Sequence, residues 1–112
     1  MDWIELKNIE QLEEIKKNSF ELPVLIFKHS TRCGVSKASL RMFENSWNFE
    51  NKIEPYFLDL LNYREISNAI AETFGVIHQS PQILLIRNGA CIYNASHESI
   101  DASDLTDFVN NA

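Results

Sequence analysis

Apolar residues recur along this chain in two alternating rhythms, and the alternation predicts the architecture. Ile9, Leu12 and Ile15 fall at near-helical spacing with Glu and Lys between them. Asn8 can cap that helix, with Gln11 three residues later in a box-like position, and the helix should end near Asn18. Pro23-Val24-Leu25-Ile26-Phe27 is then a continuous apolar run rich in strand formers, the pattern of a central strand covered on both faces. Ser30 and Thr31 read as a loop. From Cys33 onward Ala38, Leu40, Met42, Phe43 and Trp47 follow a helical pattern that stops in the Asn/Ser-rich patch around Asn45 to Asn48.

The second half repeats the alternation. Residues 52–59 read as a strand in which Pro55 limits how the chain can pair. Ile66, Ala69, Ile70 and Phe74 give an amphipathic helix, and Gly75 is placed to close it in a left-handed conformation. Ile83-Leu84-Leu85-Ile86 is a third apolar strand. Asn88-Gly89 is a strong hairpin signal, and Ala90 to Tyr93 return as the partner strand. Asp101 or Ser103 caps a last helix with Leu105, Phe108 and Val109 on its buried side. The order is α, β, α, β, α, β, β, α, with a short strand at Trp3–Leu6 as an optional first element. Such alternation predicts an α/β fold: a three-layer sandwich with a central mixed sheet of four to five strands flanked by helices. A βαβ unit joined by a helix to a ββα unit resembles the thioredoxin-like arrangement, and the right-handed crossover rule leaves few other ways to fold it.

Length and composition narrow the picture. A chain of 112 residues with 45% hydrophobic residues is expected to form one domain, residues 1–112, with a core that needs no disulfides. The start, Met1-Asp2-Trp3-Ile4-Glu5, is acidic and lacks the basic-then-apolar pattern of a secretory signal. No apolar run approaches a bilayer-spanning length. Two cysteines in such a chain suggest free thiols in a reducing compartment, so the expected location is the cytoplasm. A net charge of −6 argues against nucleic acid as a partner, and no membrane partner is expected.

The charge distribution says more than its sum. Between Glu21 and Glu44 there is no acidic residue, and that window holds Lys28, Arg32, Lys37 and Arg41. The rest of the chain carries 6 basic and 16 acidic residues, a balance of −10. The one positive zone of an acidic protein therefore surrounds Cys33.

Cys33 falls where a buried strand has ended and a helix begins, the place where open α/β sheets carry their sites. A helix N-terminus supplies unpaired N–H groups and about half a positive charge, which favours a thiolate over a thiol. Arg32 beside it and Lys37 one turn on add to that effect, and Gly34 leaves the sulfur open to attack. The chemistry that fits is thiol–disulfide exchange through a mixed disulfide. A buried cysteine acting as a small hydrophobe is the plainer alternative. The polar neighbours Thr31, Arg32, Gly34 and Ser36 oppose it. Ser36 stands where a Cys-x-x-Cys protein would carry its resolving thiol. It is left either to donate a hydrogen bond to the Cys33 thiolate or to cap the helix, and a second, external thiol must release the adduct. Cys91 lies beyond a strand that runs away from Cys33 and reads as a packed strand residue.

Ser80-Pro81 stands before a buried strand. Without the topology a trans proline merely starting that strand would be favoured; in this topology a cis bond is expected, turning the strand end towards the helix of Cys33 and letting the Ser80 peptide groups pair with substrate.

Taken together, Phe74-Gly75-Val76, Ser80-Pro81, Ile83 to Ile86 and Asn88-Gly89 resemble the C-terminal half of the thioredoxin superfamily, where a cis-proline precedes the third main strand. With Thr31 to Ser36, His78-Gln79-Ser80-Pro81-Gln82 and Tyr93-Asn94-Ala95-Ser96-His97, the chain from Trp3 to Val109 is similar to the monothiol bacilliredoxins, general-stress proteins of the bacillithiol system. That resemblance implies removal of bacillithiol, or a similar small thiol, from protein mixed disulfides, with Cys33 as acceptor. It also implies S-thiolated proteins as partners, the small thiol as co-substrate, and no bound cofactor or metal. Bacillithiol carries a malate moiety, so Lys28, Arg32, Lys37 and Arg41 are expected anion contacts. Thr31, Ser80, Pro81, Ser96 and His97 are expected to line the same groove, and His29 is either a groove residue or a strand-end residue. Nothing demands an oligomer, so a monomer is expected. Two rival functions stay open: an iron–sulfur cluster carrier like the Cys-Gly-Phe-Ser monothiol glutaredoxins, and a thioredoxin-like binding module without turnover.

Overall fold

Strand β1 (Ile4–Glu5) opens the chain and helix α1 (Gln11–Asn18) follows. The box expected at its start is present as two reciprocal bonds: Asn8 Oδ1 accepts the Gln11 N–H at 3.2 Å, and Gln11 Oε1 accepts the Asn8 N–H at 3.0 Å. β2 (Val24–His29), α2 (Gly34–Ser46) and β3 (Glu54–Asp59) form the first crossover unit. α3 (Arg64–Phe74), β4 (Gln82–Arg87), β5 (Ala90–Ser96) and a short α4 (Thr106–Asn110) complete the computed structural model, which describes residues 1–110.

The five strands make one mixed sheet in the order β1-β3-β2-β4-β5. β1, β3 and β2 run parallel; β4 is antiparallel to β2 and β5 to β4. Side chains alternate across the central strand. Val24 and Ile26 join Leu12 and Ile15 of α1 and Ile66 and Ile70 of α3 on one face. Leu25 and Phe27 join Phe43 of α2, Ala102 and Leu105 on the other. The three layers follow from that alternation.

Punctuation in the sequence acts where its chemistry requires. Gly75 has φ 65° and closes α3, and Val76 N–H reaches back to Ala71 O at 3.1 Å. Asn88 (φ 53°) and Gly89 (φ 79°) both adopt positive φ, the backbone of a two-residue hairpin turn. Pro55 sits inside a strand that pairs on both sides. Glu54 N–H donates to Pro23 O on the β2 side, so the missing Pro55 donor faces the other edge, where β1 begins only opposite Tyr56.

Three boundaries differ from the sequence expectation. β2 runs two residues past Phe27, through Lys28 and His29, because both pair with β3 opposite Leu58 and Asp59. β5 continues to Ser96 opposite Gln82, with a bulge at Leu85/Ile86. The last helix starts later: Asp101 Oδ1 caps Ser103 N–H at 3.0 Å, but what it caps is a 3-10 turn over Ala102–Leu105, and α4 begins at Thr106. Leu105 is buried while Phe108 and Val109 are partly covered.

Candidate active site

The sheet has one polar end. The register places His29 beside Asp59, Lys28 beside Gln82, and Gln82 beside Ser96, so β2, β3 and β5 finish there and β4 begins there. Cys33 is attached to this end by a turn in which its N–H donates to Ser30 O at 3.2 Å. It is the N-cap of α2, with an extended backbone (φ −106°, ψ 121°), and it is half-buried. The first helical bond runs from Lys37 N–H to Cys33 O at 3.0 Å, which leaves Gly34, Val35 and Ser36 N–H without an intrahelical acceptor around the sulfur. A Cβ added at Gly34 would meet no heavy atom within 4 Å, so the space over that peptide is open.

Thr31, Arg32, Lys37 and Arg41 are all exposed, and among the described residues none of these three cations is in an ion pair. Lys28 departs from the expectation that it lies with them. It is completely buried on the opposite face of the sheet, where Nζ lies 3.3 Å from Ser67 O and 3.3 Å from His78 Nδ1. Burial pushes its ammonium down to about 8. The reason is the longer β2: a residue at an even position beyond Ile26 points to the α1/α3 side, away from Cys33. Lys28 therefore presents no charge to a surface anion.

Ser36 is also committed elsewhere. It is fully buried; its Oγ accepts the Ser30 N–H at 3.1 Å and lies 2.8 Å from His29 Nδ1. Of the two roles open to it in the sequence, neither a bond to the Cys33 sulfur nor a bond to the backbone of the N-cap residue is present among the described contacts. His29 is a buried strand-end residue, 4% exposed, packed at a tilt against Phe27 and Phe57. Burial holds its imidazole below the ordinary histidine range.

The segment before β4 meets the end of β5. The Ser80–Pro81 peptide is cis, Pro81 is buried and Ser80 half-buried with its Oγ enclosed and, among the described residues, without a partner. His97 N–H donates to Pro81 O at 3.0 Å, and His97 Nε2 is 3.0 Å from Gln79 Oε1. His97 itself has φ 55° and is exposed; Ser96 is half-buried. Gln82, buried beneath, donates from Nε2 to Ile77 O at 3.0 Å. Gln79, Gln82 and His78 thus shape this loop, and sequence reasoning assigned none of them a role. A signal was present for Gln82 alone: a polar residue next to an apolar strand run must find partners when buried.

Cys91 is half-buried at the other end. It pairs with Ile86, which lies opposite Val24 at the start of β2. Its Sγ donates to Tyr93 O at 3.3 Å, and burial pushes its thiol up. Six strand residues separate the two ends, roughly 20 Å. Among the described residues no group of three His, Cys, Asp or Glu could hold a metal ion, and no helix is long and apolar enough to cross a membrane.

Comparison with known proteins agrees with this arrangement. A solved structure provisionally named an oxidoreductase with a thioredoxin fold shares 31% identity over 93% of this chain and 90% of its own, with a TM-score of 0.79. Mitochondrial thioredoxin 3 from Saccharomyces cerevisiae matches over 98% of this chain and 95% of its own at 14% identity and TM-score 0.74. The thioredoxin of Malassezia sympodialis matches over 96% and 87% at 21% identity and TM-score 0.69, and these two establish the fold alone. The family described as monothiol bacilliredoxin BrxC matches residues 4–105, nearly the whole chain. With a thioredoxin fold and a single cysteine at the N-cap of the helix after the central strand, the chain belongs to the monothiol bacilliredoxin family of thiol oxidoreductases.

Proposed function

We propose that this protein removes bacillithiol, or a similar low-molecular-weight thiol, from protein mixed disulfides through Cys33. The carrying observation is the placement of the sulfur: half-buried, at the N-cap of α2, next in sequence to the exposed Arg32 and one turn before the exposed Lys37, neither of which is in an ion pair among the described residues. The Cys33 thiolate attacks the small-thiol sulfur of the mixed disulfide. A new S–S bond forms on Cys33, the old one breaks, and the target cysteine leaves as a thiolate that takes a proton from water. With Ser36 in place of a second cysteine and Cys91 at the far end of the sheet, the adduct is released by a free thiol from solution. That thiol attacks the adduct sulfur, restores the Cys33 thiolate, and departs as the symmetric small-molecule disulfide.

Arg32, Lys37 and Arg41 suit a thiol that carries carboxylates. Thr31, the Ser80–Pro81 segment, Ser96 and His97 share the polar end of the sheet with Cys33 and form the groove for the target chain. The substrates are S-thiolated proteins, the small thiol is a co-substrate, and the working form is a cytoplasmic monomer.

The test is intact mass after mixing the protein with a bacillithiol- or glutathione-modified target. The reading expects an adduct of one small thiol on Cys33 and an unmodified target. A brown, iron-containing protein after anaerobic purification overturns it in favour of a cluster carrier. Absence of any adduct overturns it in favour of a binding module.

A further inference from the structure

The Cys33 turn is held by a chain of hydrogen bonds that starts at a buried histidine. Ser36 Oγ has one proton and two lone pairs. One lone pair accepts the Ser30 N–H at 3.1 Å, and the hydroxyl faces His29 Nδ1 at 2.8 Å. Whichever nitrogen of the imidazole carries the proton, this contact fixes the rotation of the hydroxyl. The Ser30 carbonyl, on the other side of the same residue, accepts the Cys33 N–H at 3.2 Å. The chain of contacts therefore runs from His29 to Ser36 to Ser30 to Cys33, with Ser30 gripped at both its N–H and its carbonyl. His29 and Ser36 are 4% and 0% exposed, so no water replaces a lost partner cheaply. The imidazole packs at a tilt against Phe27 and Phe57, whose ring centroids lie 6.4 and 5.5 Å away.

We propose that His29 is a positioning residue for the exchange reaction: by locking Ser36 it holds the Ser30–Cys33 turn and keeps the sulfur over the free N–H groups of α2. The inference rests on the exchange reading for its purpose, but the geometry concerns Cys33 reactivity in general. At the position of a resolving thiol, Ser36 then serves as the bolt of the turn, and His29 is what keeps the bolt closed.

The experiment measures the rate at which iodoacetamide alkylates Cys33 at pH 7.5 in a Cys91→Ala background. His29→Phe keeps an aromatic ring in the slot and removes Nδ1. His29→Asn places a polar atom where Nδ1 was, and His29→Gln places one where Nε2 was. Melting temperatures are recorded for every variant. The expected result is a loss of about three- to tenfold for His29→Phe and His29→Gln, the scale of one buried hydrogen bond, with His29→Asn within about twofold of the parent. In a Ser36→Ala background His29→Phe should add little further loss, because both remove the same contact. Equal behaviour of Asn and Gln, unchanged reactivity in folded His29→Phe, or multiplicative losses in the double variant overturns the proposal. Should His29→Phe not fold, the Asn-against-Gln comparison decides alone. Alkylation needs no physiological thiol, so a failure of the exchange reading in the mass experiment is separable from a failure here.

Discussion

Lys28 Nζ lies 3.3 Å from His78 Nδ1, fully buried and, among the described residues, without a carboxylate. An ammonium in that position is a cost carried by the folded state. Its folded value is about 8 against an ordinary 10.5. Below pH 8 it is charged in both states and the folded state bears the full desolvation. Between pH 8 and 10.5 the folded state sheds the proton first, so stability climbs with pH. The ceiling of the effect is about 3 kcal/mol. Lys28→Met should therefore be more stable than the parent by about 1–3 kcal/mol at pH 7, with the gain shrinking to nothing above pH 10.5. Urea denaturation at a series of pH values checks this; a gain that does not depend on pH would mean packing alone is responsible.

His29 gives a slope of the same sign on the acid side. Its folded value is depressed by burial below the ordinary 6.5. A depressed histidine is neutral in the fold while the unfolded chain takes up the proton, so stability is lost as the pH falls below 6.5. His29→Asn, which cannot titrate, should flatten that acid slope. The comparison needs only melting temperatures between pH 7.5 and 5.

How far the sequence revealed the fold depends on what each residue answers to. Local chemistry was legible: the Asn8/Gln11 box, the αL Gly75 and the Asn88-Gly89 turn each stand where a backbone group needs that residue. The limits of β2 and β5 were not, because Lys28, His29 and Ser96 are polar and only cross-strand partners hold them in strands. The same gap misplaced Lys28 among the surface cations. At the site, Cys33 was legible from the change from an apolar run to a polar one. The commitment of Ser36 to His29 and Ser30 was not, since it depends on a contact across seven residues that no periodicity encodes.

Gly34 is free of conformational demand. Its backbone is not left-handed, and a Cβ there meets nothing within 4 Å. Gly34→Ala should change stability by no more than about 0.5 kcal/mol. If that open space admits the target, the same methyl slows exchange with a protein disulfide more than with a small disulfide. Rates with both substrates on one preparation test the point, and equal slowing would assign the space no part in docking.

Arg32, Lys37 and Arg41 are exposed and, among the described residues, in no ion pair. Replacing all three by Gln should slow reaction with a negatively charged disulfide such as oxidised glutathione by about three- to tenfold at low salt. The difference should largely vanish at 1 M salt, where screening shortens the reach of each charge to about 3 Å. A neutral disulfide should react at nearly the parental rate. Loss of rate with the neutral compound would instead indicate that the substitutions disturb the turn.

Cys33→Ala should abolish adduct formation while Cys91→Ala retains most of it. The readout is the fraction of target freed of its small thiol at a fixed time. Equal losses in the two variants would contradict a single reacting sulfur.

The span of β2 and β4 has a kinetic meaning. On the proposed chemistry, a molecule that has taken a group onto Cys33 has no partner of its own within reach, since its other sulfur sits a full strand length away. How long it stays occupied is decided by collisions from outside rather than by anything inside the fold. The occupied fraction at steady state then rises when the surrounding supply of reduced small thiol falls, which makes the population of this protein a gauge of that supply.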